Sequence, residues 1–207
     1  PYASSVQIFS QKAYSSLFDA KDDESAGSST AEGALGSLRC FFELLDQAQA
    51  SGFTPDAIAV TVGSSGTTAG FLAGAHALAL SGGPDIPLYA FDTFGTDYPV
   101  QARERIMAHA EECWASLALP GICGERLLRL SYDFVGPGYS RPYPGMIEAV
   151  RLVAQSEGIV LDPNYTGKSM AGLLDAIRKG AFTADQHVVY LHTGGLPALF
   201  AMRRHFA

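Results

Sequence analysis

Gly63-Ser64-Ser65-Gly66-Thr67-Thr68-Ala69-Gly70 lies between a short apolar run and a segment of helical character, a setting suited to holding an anion. Glycines let the backbone turn sharply and bring its N–H groups against a charge. The helix that follows adds unpaired N–H groups and the positive end of its dipole. Ser64, Ser65, Thr67 and Thr68 add hydroxyl donors. No Gly-Lys-Ser/Thr follows and the Gly-x-Gly-x-x-Gly spacing is absent, which excludes a nucleotide P-loop and a dinucleotide turn. Thr67 occupies the place where a Gly-x-Ser-x-Gly nucleophile elbow needs its second glycine. The same residues would also serve as an ordinary strand–helix turn capped by Thr67 or Thr68.

Two later loops carry further chemistry. Asp162-Pro163-Asn164-Tyr165-Thr166-Gly167-Lys168 is turn chemistry leading into a helix. Tyr165 there is either a packed aromatic or a working hydroxyl, and Lys168 stands where a solvated lysine is usual. Tyr139, in a Gly- and Pro-rich loop, is open in the same way. His192-Thr193-Gly194-Gly195 follows a β-rich run and precedes a helix. In open α/β sheets ligands gather beyond the carboxyl ends of the strands. The 63–70 and 192–195 loops both follow strands, so both should open on that rim and form one polar site.

The elements that must position these loops alternate. Residues 1–33 form an irregular head, with a small, polar surface loop at 21–33. A domain of 34–207 follows. Helical spacing of Leu35, Leu38, Phe42 and Leu45 predicts a helix over 34–51. Residues 57–62 read as a buried parallel strand, closed by glycine. Further helices are expected at 68–80, 99–117, 144–155, 169–179 and 196–204, with strands at 87–91, 127–134 and 187–191. Strands alternating with helices of this length predict an α/β fold, a parallel sheet flanked by helices.

Composition narrows the class. The chain has 207 residues, 47% hydrophobic and 17% charged, which argues for a globular core and against disorder. Its net charge of -7, with scattered Lys and Arg, leaves no footprint for nucleic acid or an anionic membrane. Cys40, Cys113 and Cys123 lack Cys-x-x-Cys spacing, and the histidines show no metal-ligand pattern. No apolar run suits a bilayer and no signal peptide opens the chain, so a cytoplasmic protein is expected.

In this order, the three loops resemble the cofactor half of the pyridoxal-phosphate (PLP) enzymes that include D-cysteine desulfhydrase and 1-aminocyclopropane-1-carboxylate deaminase. The resemblance runs from about residue 27 and is strongest over 136–200. The family's Gly-Ser-Ser…Gly-Ala-Leu-Gly segment has its counterpart in Gly27-Ser28-Ser29 and Gly33-Ala34-Leu35-Gly36. It implies the large PLP domain of the fold type II enzymes, with the phosphate held by residues 63–70. The implied cofactor-binding set is Gly63, Ser64, Ser65, Gly66, Thr67, Thr68, Thr166, Thr193 and Gly194, with Thr193 beside the pyridine nitrogen. Tyr139 and Tyr165 fall at the two active-site tyrosines. The deaminases place glutamate after the second tyrosine and leucine in the His-x-Gly-Gly loop. Thr166 and Thr193 stand there instead, the desulfhydrase pattern. A neutral hydroxyl supports a weaker electron sink, sufficient for expelling thiolate or chloride and less so for opening a cyclopropane ring.

The departures are informative too. The family loop Gly-Tyr-Gly-Ile/Val-Pro reads Gly138-Tyr139-Ser140-Arg141-Pro142, where Arg141 would face either a substrate carboxylate or solvent. The family's Schiff-base lysine stands in a Gly-Asn-Lys context, and Lys12, Lys21, Lys168 and Lys179 do not match it. The favoured expectation is a split enzyme: an oligomer in which a second polypeptide carries that lysine and the substrate is a small amino acid. The others are a lysine-free regulatory or binding subunit and a portion cut from an ordinary enzyme. Val6, Ile8, Phe9, Tyr14, Leu17 and Phe18 make the head apolar enough to contact a partner.

Overall fold

The computed structural model describes residues 6–10, 30–97, 100–121 and 123–206. Gly27-Ser28-Ser29, Lys12 and Lys21 lie outside them. Five strands form one sheet in the order β1-β5-β2-β3-β4, and every pairing is parallel. They are β1 (Val6–Ser10), β2 (Ala57–Val62), β3 (Leu88–Asp92), β4 (Leu128–Ser131) and β5 (Val188–His192). The helices are α1 (Ala31–Ala50), α2 (Gly66–Leu80), α3 (Ala102–Ser116), α4 (Pro144–Glu157), α5 (Thr166–Arg178) and α6 (Pro197–Ala201). None of those described is long and apolar enough to cross a membrane.

Strand β2 shows why the sheet is covered on both faces. Successive side chains of a strand point to opposite sides. Ile58, Val60 and Val62 enter a core with Phe41, Phe71, Leu72 and Ile106, under α1, α2 and α3. Ala57 and Ala59 enter a second core with Met146, Val150, Met170 and Tyr190, under α4 and α5. From β2 the chain proceeds through β3 to β4 on one side, then returns to place β5 on the other. The β2–β5 boundary is therefore a topological switch point, where the following loops part and leave a crevice.

Several expected bounds shift, each for a local reason. Within the head, Val6–Ser10 is a strand rather than irregular chain, paired with β5 from Val6↔Val188 to Ser10↔His192. Helix α1 starts early because the Thr30 side chain accepts the Gly33 N–H at 3.1 Å, an N-cap. The strand expected over 127–134 ends at Ser131, where the chain turns into the loop carrying Tyr139.

Helix α2 crosses α1 at Gly70, where an added Cβ would lie 2.2 Å from the Ala34 carbonyl oxygen and 2.5 Å from Ser37 Cβ. Gly70 thus serves helix packing rather than anion binding. Gly70→Ala should overpack this crossing and cost about 1–3 kcal/mol. A lower urea midpoint with an unchanged slope would check it, and an unchanged midpoint would show that α1 can move aside.

Candidate functional site

The crevice at the switch point holds a cavity of about 270 Å³ lined by Gly63, Ser64, Ser65, Thr67 and Thr68 after β2 and by Thr193, Gly194 and Gly195 after β5. Thr61, Phe94 and Tyr165 complete it. The two loops expected to converge do so. Ser65 lies at the N-cap of α2 with φ 85, left-handed backbone that side chains other than glycine seldom adopt. Its hydroxyl turns away to accept from Arg105 Nε at 3.2 Å. Thr68 is fully buried, its hydroxyl 3.5 Å from the Thr61 carbonyl. Ser64 and Thr67 are half-buried at the wall, beside the first N–H groups of a 15-residue helix. Gly66 begins that helix and does not line the cavity.

The opposite wall is aromatic. Tyr165 Oη and Tyr139 Oη share a short hydrogen bond. Phe94 meets Tyr139 edge-on, with centroids 4.7 Å apart at 89°. Tyr139 reaches the site through Tyr165 and is not itself a lining residue. Burial, the Tyr139 bond and the nearby Asp162 charge push the Tyr165 phenol well above its ordinary pKa. Tyr165 therefore keeps its proton at neutral pH, and as a weaker acid than a free phenol it can give it up only to negative charge developing beside it.

The loop bearing Tyr139 is clamped at two points. Asp97 Oδ2 accepts the Tyr139 N–H at 2.6 Å. Lys168 Nζ donates to the carbonyls of Val135 at 2.6 Å and Gly138 at 2.7 Å. Lys168 is fully buried, contrary to the solvated position usual for lysine before a helix. Burial lowers its pKa from 10.5 to about 8 against the opposing pull of Asp97, Asp162 and Asp92. Arg141 is exposed and donates to the Pro137 carbonyl at 3.3 Å.

Asp162 organises the start of α5. Its carboxylate accepts from the N–H groups of Asn164 (2.7 Å), Tyr165 (2.9 Å) and Thr166 (2.8 Å) and from the Thr166 hydroxyl (2.7 Å). The helix consequently begins at Thr166, ahead of the expected Ser169. Thr166, read as a cofactor-binding residue, is fully buried and absent from the cavity lining, its hydroxyl committed to Asp162. A Cβ on Gly195 would lie 2.5 Å from Asp162 Cγ, so only glycine lets the β5 loop close over this carboxylate. The Gly194 N–H donates to His192 Nδ1 at 3.2 Å, so the ring proton sits on Nε2 and is donated to the Val160 carbonyl at 3.0 Å. That pairing holds the loop whose exposed Thr193 borders the cavity.

A chain of hydroxyls underlies the floor. Tyr190 Oη donates to the Thr166 carbonyl at 2.8 Å, since a carbonyl can only accept. Ser169, whose Oγ lies 2.7 Å from Tyr190 Oη and 3.2 Å from the Thr166 carbonyl, spends its one proton on one of these two, so the 2.6 Å contact between Thr61 and Ser169 is donated by Thr61. Each hydroxyl has one proton, so Thr61 presents only lone pairs to the cavity. Thr61 and Phe94 were not singled out by sequence, nor were Asp92, Asp97 and Arg105 behind the walls. Their partners are remote in sequence, and only the strand-to-helix position of the loops hinted at them.

The arrangement fits PLP at two points: a helix N-terminus with serine and threonine for a phosphate, and a hydroxyl at Thr193 for a ring nitrogen. Among the described residues no lysine lines the cavity. Lys168 is held by two carbonyls and Lys179 is exposed, paired with Asp175 at 2.7 Å.

Residues 25–194 match the model of the pyridoxal-phosphate dependent enzymes, and the chain belongs to that family, whose cofactor is PLP. It is similar to the D-cysteine desulfhydrase of Salmonella paratyphi C (strain RKS4594), 36% identical over 180 residues that make up 86% of this chain and 52% of that one. The Salmonella typhi D-cysteine desulfhydrase is 35% identical with the same coverage, 86% and 52%. A solved ACC deaminase homologue superposes with a TM-score of 0.73 at 26% identity, covering 87% of this chain and 51% of that one. A fungal L-serine ammonia-lyase from Rhizomucor miehei shares the fold, with a TM-score of 0.52 at 19% identity, covering 88% of this chain and 59% of that one. The chain spans about half the length of the curated relatives it matches.

Lys168 yields a pH signature. Its folded pKa lies below its unfolded value, so between about 8 and 10.5 the unfolded state binds more protons. This group's contribution to stability therefore rises with pH across that window, by about 1.4 kcal/mol per unit of depression. Urea unfolding of wild type and Lys168→Met should show the difference moving in favour of wild type from pH 8 to 10.5 and flat below pH 8. A flat difference throughout would mean that the amine is not desolvated.

Proposed function

We propose that this chain is the cofactor-holding part of a PLP-dependent lyase. It acts on a small amino acid by α,β-elimination, desulfhydrase-like and deaminating, or by a related β-substitution, with the Schiff-base lysine supplied by another polypeptide. The observation that carries this reading is the lining of the cavity: an anion cradle, the Thr193 hydroxyl and the tyrosine wall, with no lysine among the described residues that form it. The kinship with D-cysteine desulfhydrases supports the reaction class.

Bound PLP supplies an electron sink for the α-carbon of an amino acid. The chain's own residues divide the remaining work. The 63–68 loop holds the phosphate by N–H and hydroxyl groups. Thr193 meets the ring nitrogen with a neutral hydroxyl, adequate where a good leaving group departs from the β-carbon. Tyr165 donates its phenolic proton to that leaving group, recovers one from Tyr139 across their hydrogen bond, and the half-buried Tyr139 is reprotonated from solvent. Phe94 and Tyr165 give that end of the cavity an aromatic wall.

Pull-down of the tagged full chain with mass identification should recover a polypeptide bearing a Gly-Asn-Lys motif. The reconstituted complex with PLP should release ammonia from D-cysteine, L-cysteine or 3-chloroalanine. Full activity of the isolated chain would overturn the split arrangement. A complex that binds PLP yet turns over none of these amino acids would favour a regulatory or binding subunit instead.

Within the complex, Tyr165→Phe should lower kcat on the order of a hundredfold with little change in KM, the loss of a general acid. Thr193→Ala should retain bound PLP and slow turnover. Steady-state kinetics with D-cysteine checks both, and 3-chloroalanine is the contrast, because chloride needs less protonation than thiolate and should suffer less from Tyr165→Phe.

A further inference from the structure

Arg105 lies in the first turn of α3, only 6% exposed, behind the anion loop and outside the cavity lining. Its Nη2 donates to the Gly63 carbonyl at 3.1 Å and its Nε to Ser65 Oγ at 3.2 Å. Nη1 donates to the Val100 carbonyl. Asp92 Oδ1 stands 3.6 Å from Nη2, and the Phe94 ring centroid is 5.8 Å from the guanidinium carbon. Asp92 in turn accepts the N–H groups of Gly95 at 2.7 Å and Phe94 at 3.4 Å. One guanidinium thus ties the loop after β2 to the loop after β3.

The carbonyl contact has a consequence for the neighbouring N–H. In a trans peptide the C=O and the following N–H point in opposite directions. Capture of the Gly63 carbonyl turns the Ser64 N–H away from Arg105, toward the cavity that Gly63 and Ser64 line. The contact to Ser65 Oγ holds a residue whose left-handed backbone only glycine adopts readily. The planar fork of arginine, with donors in fixed directions, matches both acceptors at once.

We propose that Arg105 is a positioning residue for anion binding: its guanidinium holds the Gly63–Ser64–Ser65 backbone in the shape that offers N–H groups to a phosphate monoester before that ligand arrives. The assignment rests on the PLP reading of the cavity. A loop shaped in advance spares the ordering cost of binding, and the benefit falls on the phosphate end alone.

Titration calorimetry of the full chain with PLP, inorganic phosphate and pyridoxal, which lacks the phosphate, tests this. Arg105→Lys keeps the charge and loses the fork; it should bind PLP and phosphate about tenfold more weakly or worse and pyridoxal as wild type does. Arg105→Met combined with Asp92→Asn removes the buried pair together and leaves no unpaired charge; it should show the same selective loss. Arg105→Lys with wild-type affinity for PLP and phosphate, or with equal losses for PLP and pyridoxal, overturns the assignment. Wild-type affinity in the double variant overturns it as well. A wild-type chain that binds neither PLP nor phosphate overturns the cofactor reading, and this assignment with it.

Discussion

Asp162 is a fully buried carboxylate, and the geometry of the site follows from satisfying it. An ionised carboxylate removed from water is costly unless its lone pairs are met. Three backbone N–H groups and the Thr166 hydroxyl meet them, all from the first turn of α5 and the residues just before it. This fixes both the axial start and the rotation of the helix. Tyr165 then faces the cavity, Lys168 reaches beneath the Tyr139 loop, and Ser169 bonds to Thr61 and Tyr190. The same carboxylate sets the closest approach of Gly195, so the β5 loop is positioned by the group that starts α5.

Two buried cations balance the buried acids, each bound to a different wall. Arg105 faces Asp92 and braces the anion loop, while Lys168 holds the Tyr139 loop, with Asp97 on that loop's N–H side. Neither amine nor guanidinium borders the cavity. Their hydrogen bonds go to backbone carbonyls and, from Arg105, to the Ser65 hydroxyl, orienting the loops rather than touching a ligand. Positive charge is thereby kept near the site with no flexible cation among the described residues lining it, and the loops are stiffened where the chain has no regular secondary structure. Breaking either contact would leave an acid or a carbonyl desolvated, a larger penalty than the net worth of the bond.

What the sequence made legible was whatever is encoded locally. Apolar runs such as 57–62 and 188–191 revealed strands, and glycine with hydroxyl residues after them marked the loops. Lys168 was not legible as a buried residue because a lysine before a helix is ordinarily solvated; only the carbonyls of Val135 and Gly138, far away in sequence, hold it inside. Arg105 was silent for the same reason, its contacts to the anion loop at Gly63 and Ser65 lying some 40 residues back. Thr166 shows the opposite failure. Its place beside Tyr165 suggested the site, but on a helix adjacent side chains point about 100° apart, and that turn directs its hydroxyl to Asp162. The strand Val6–Ser10 was hidden by polar flanks and becomes a strand through pairing with β5.

The arrangement also explains why the Schiff-base function cannot be transferred to the buried lysine nearest the site. To reach a ligand, Lys168 would have to leave both carbonyls, and the loop that presents Tyr139 to Tyr165 would lose its anchor. An amine recruited in that way would cost the acid that the proposed elimination needs. In the proposed function the two roles are separable in space. The rim of this sheet offers an anion cradle, the Thr193 hydroxyl and a proton donor on fixed elements, which would leave a covalent amine free to come from another chain without disturbing any of them. That separation is what makes division of one active site between two polypeptides physically reasonable, since each would bring a rigid, internally satisfied half.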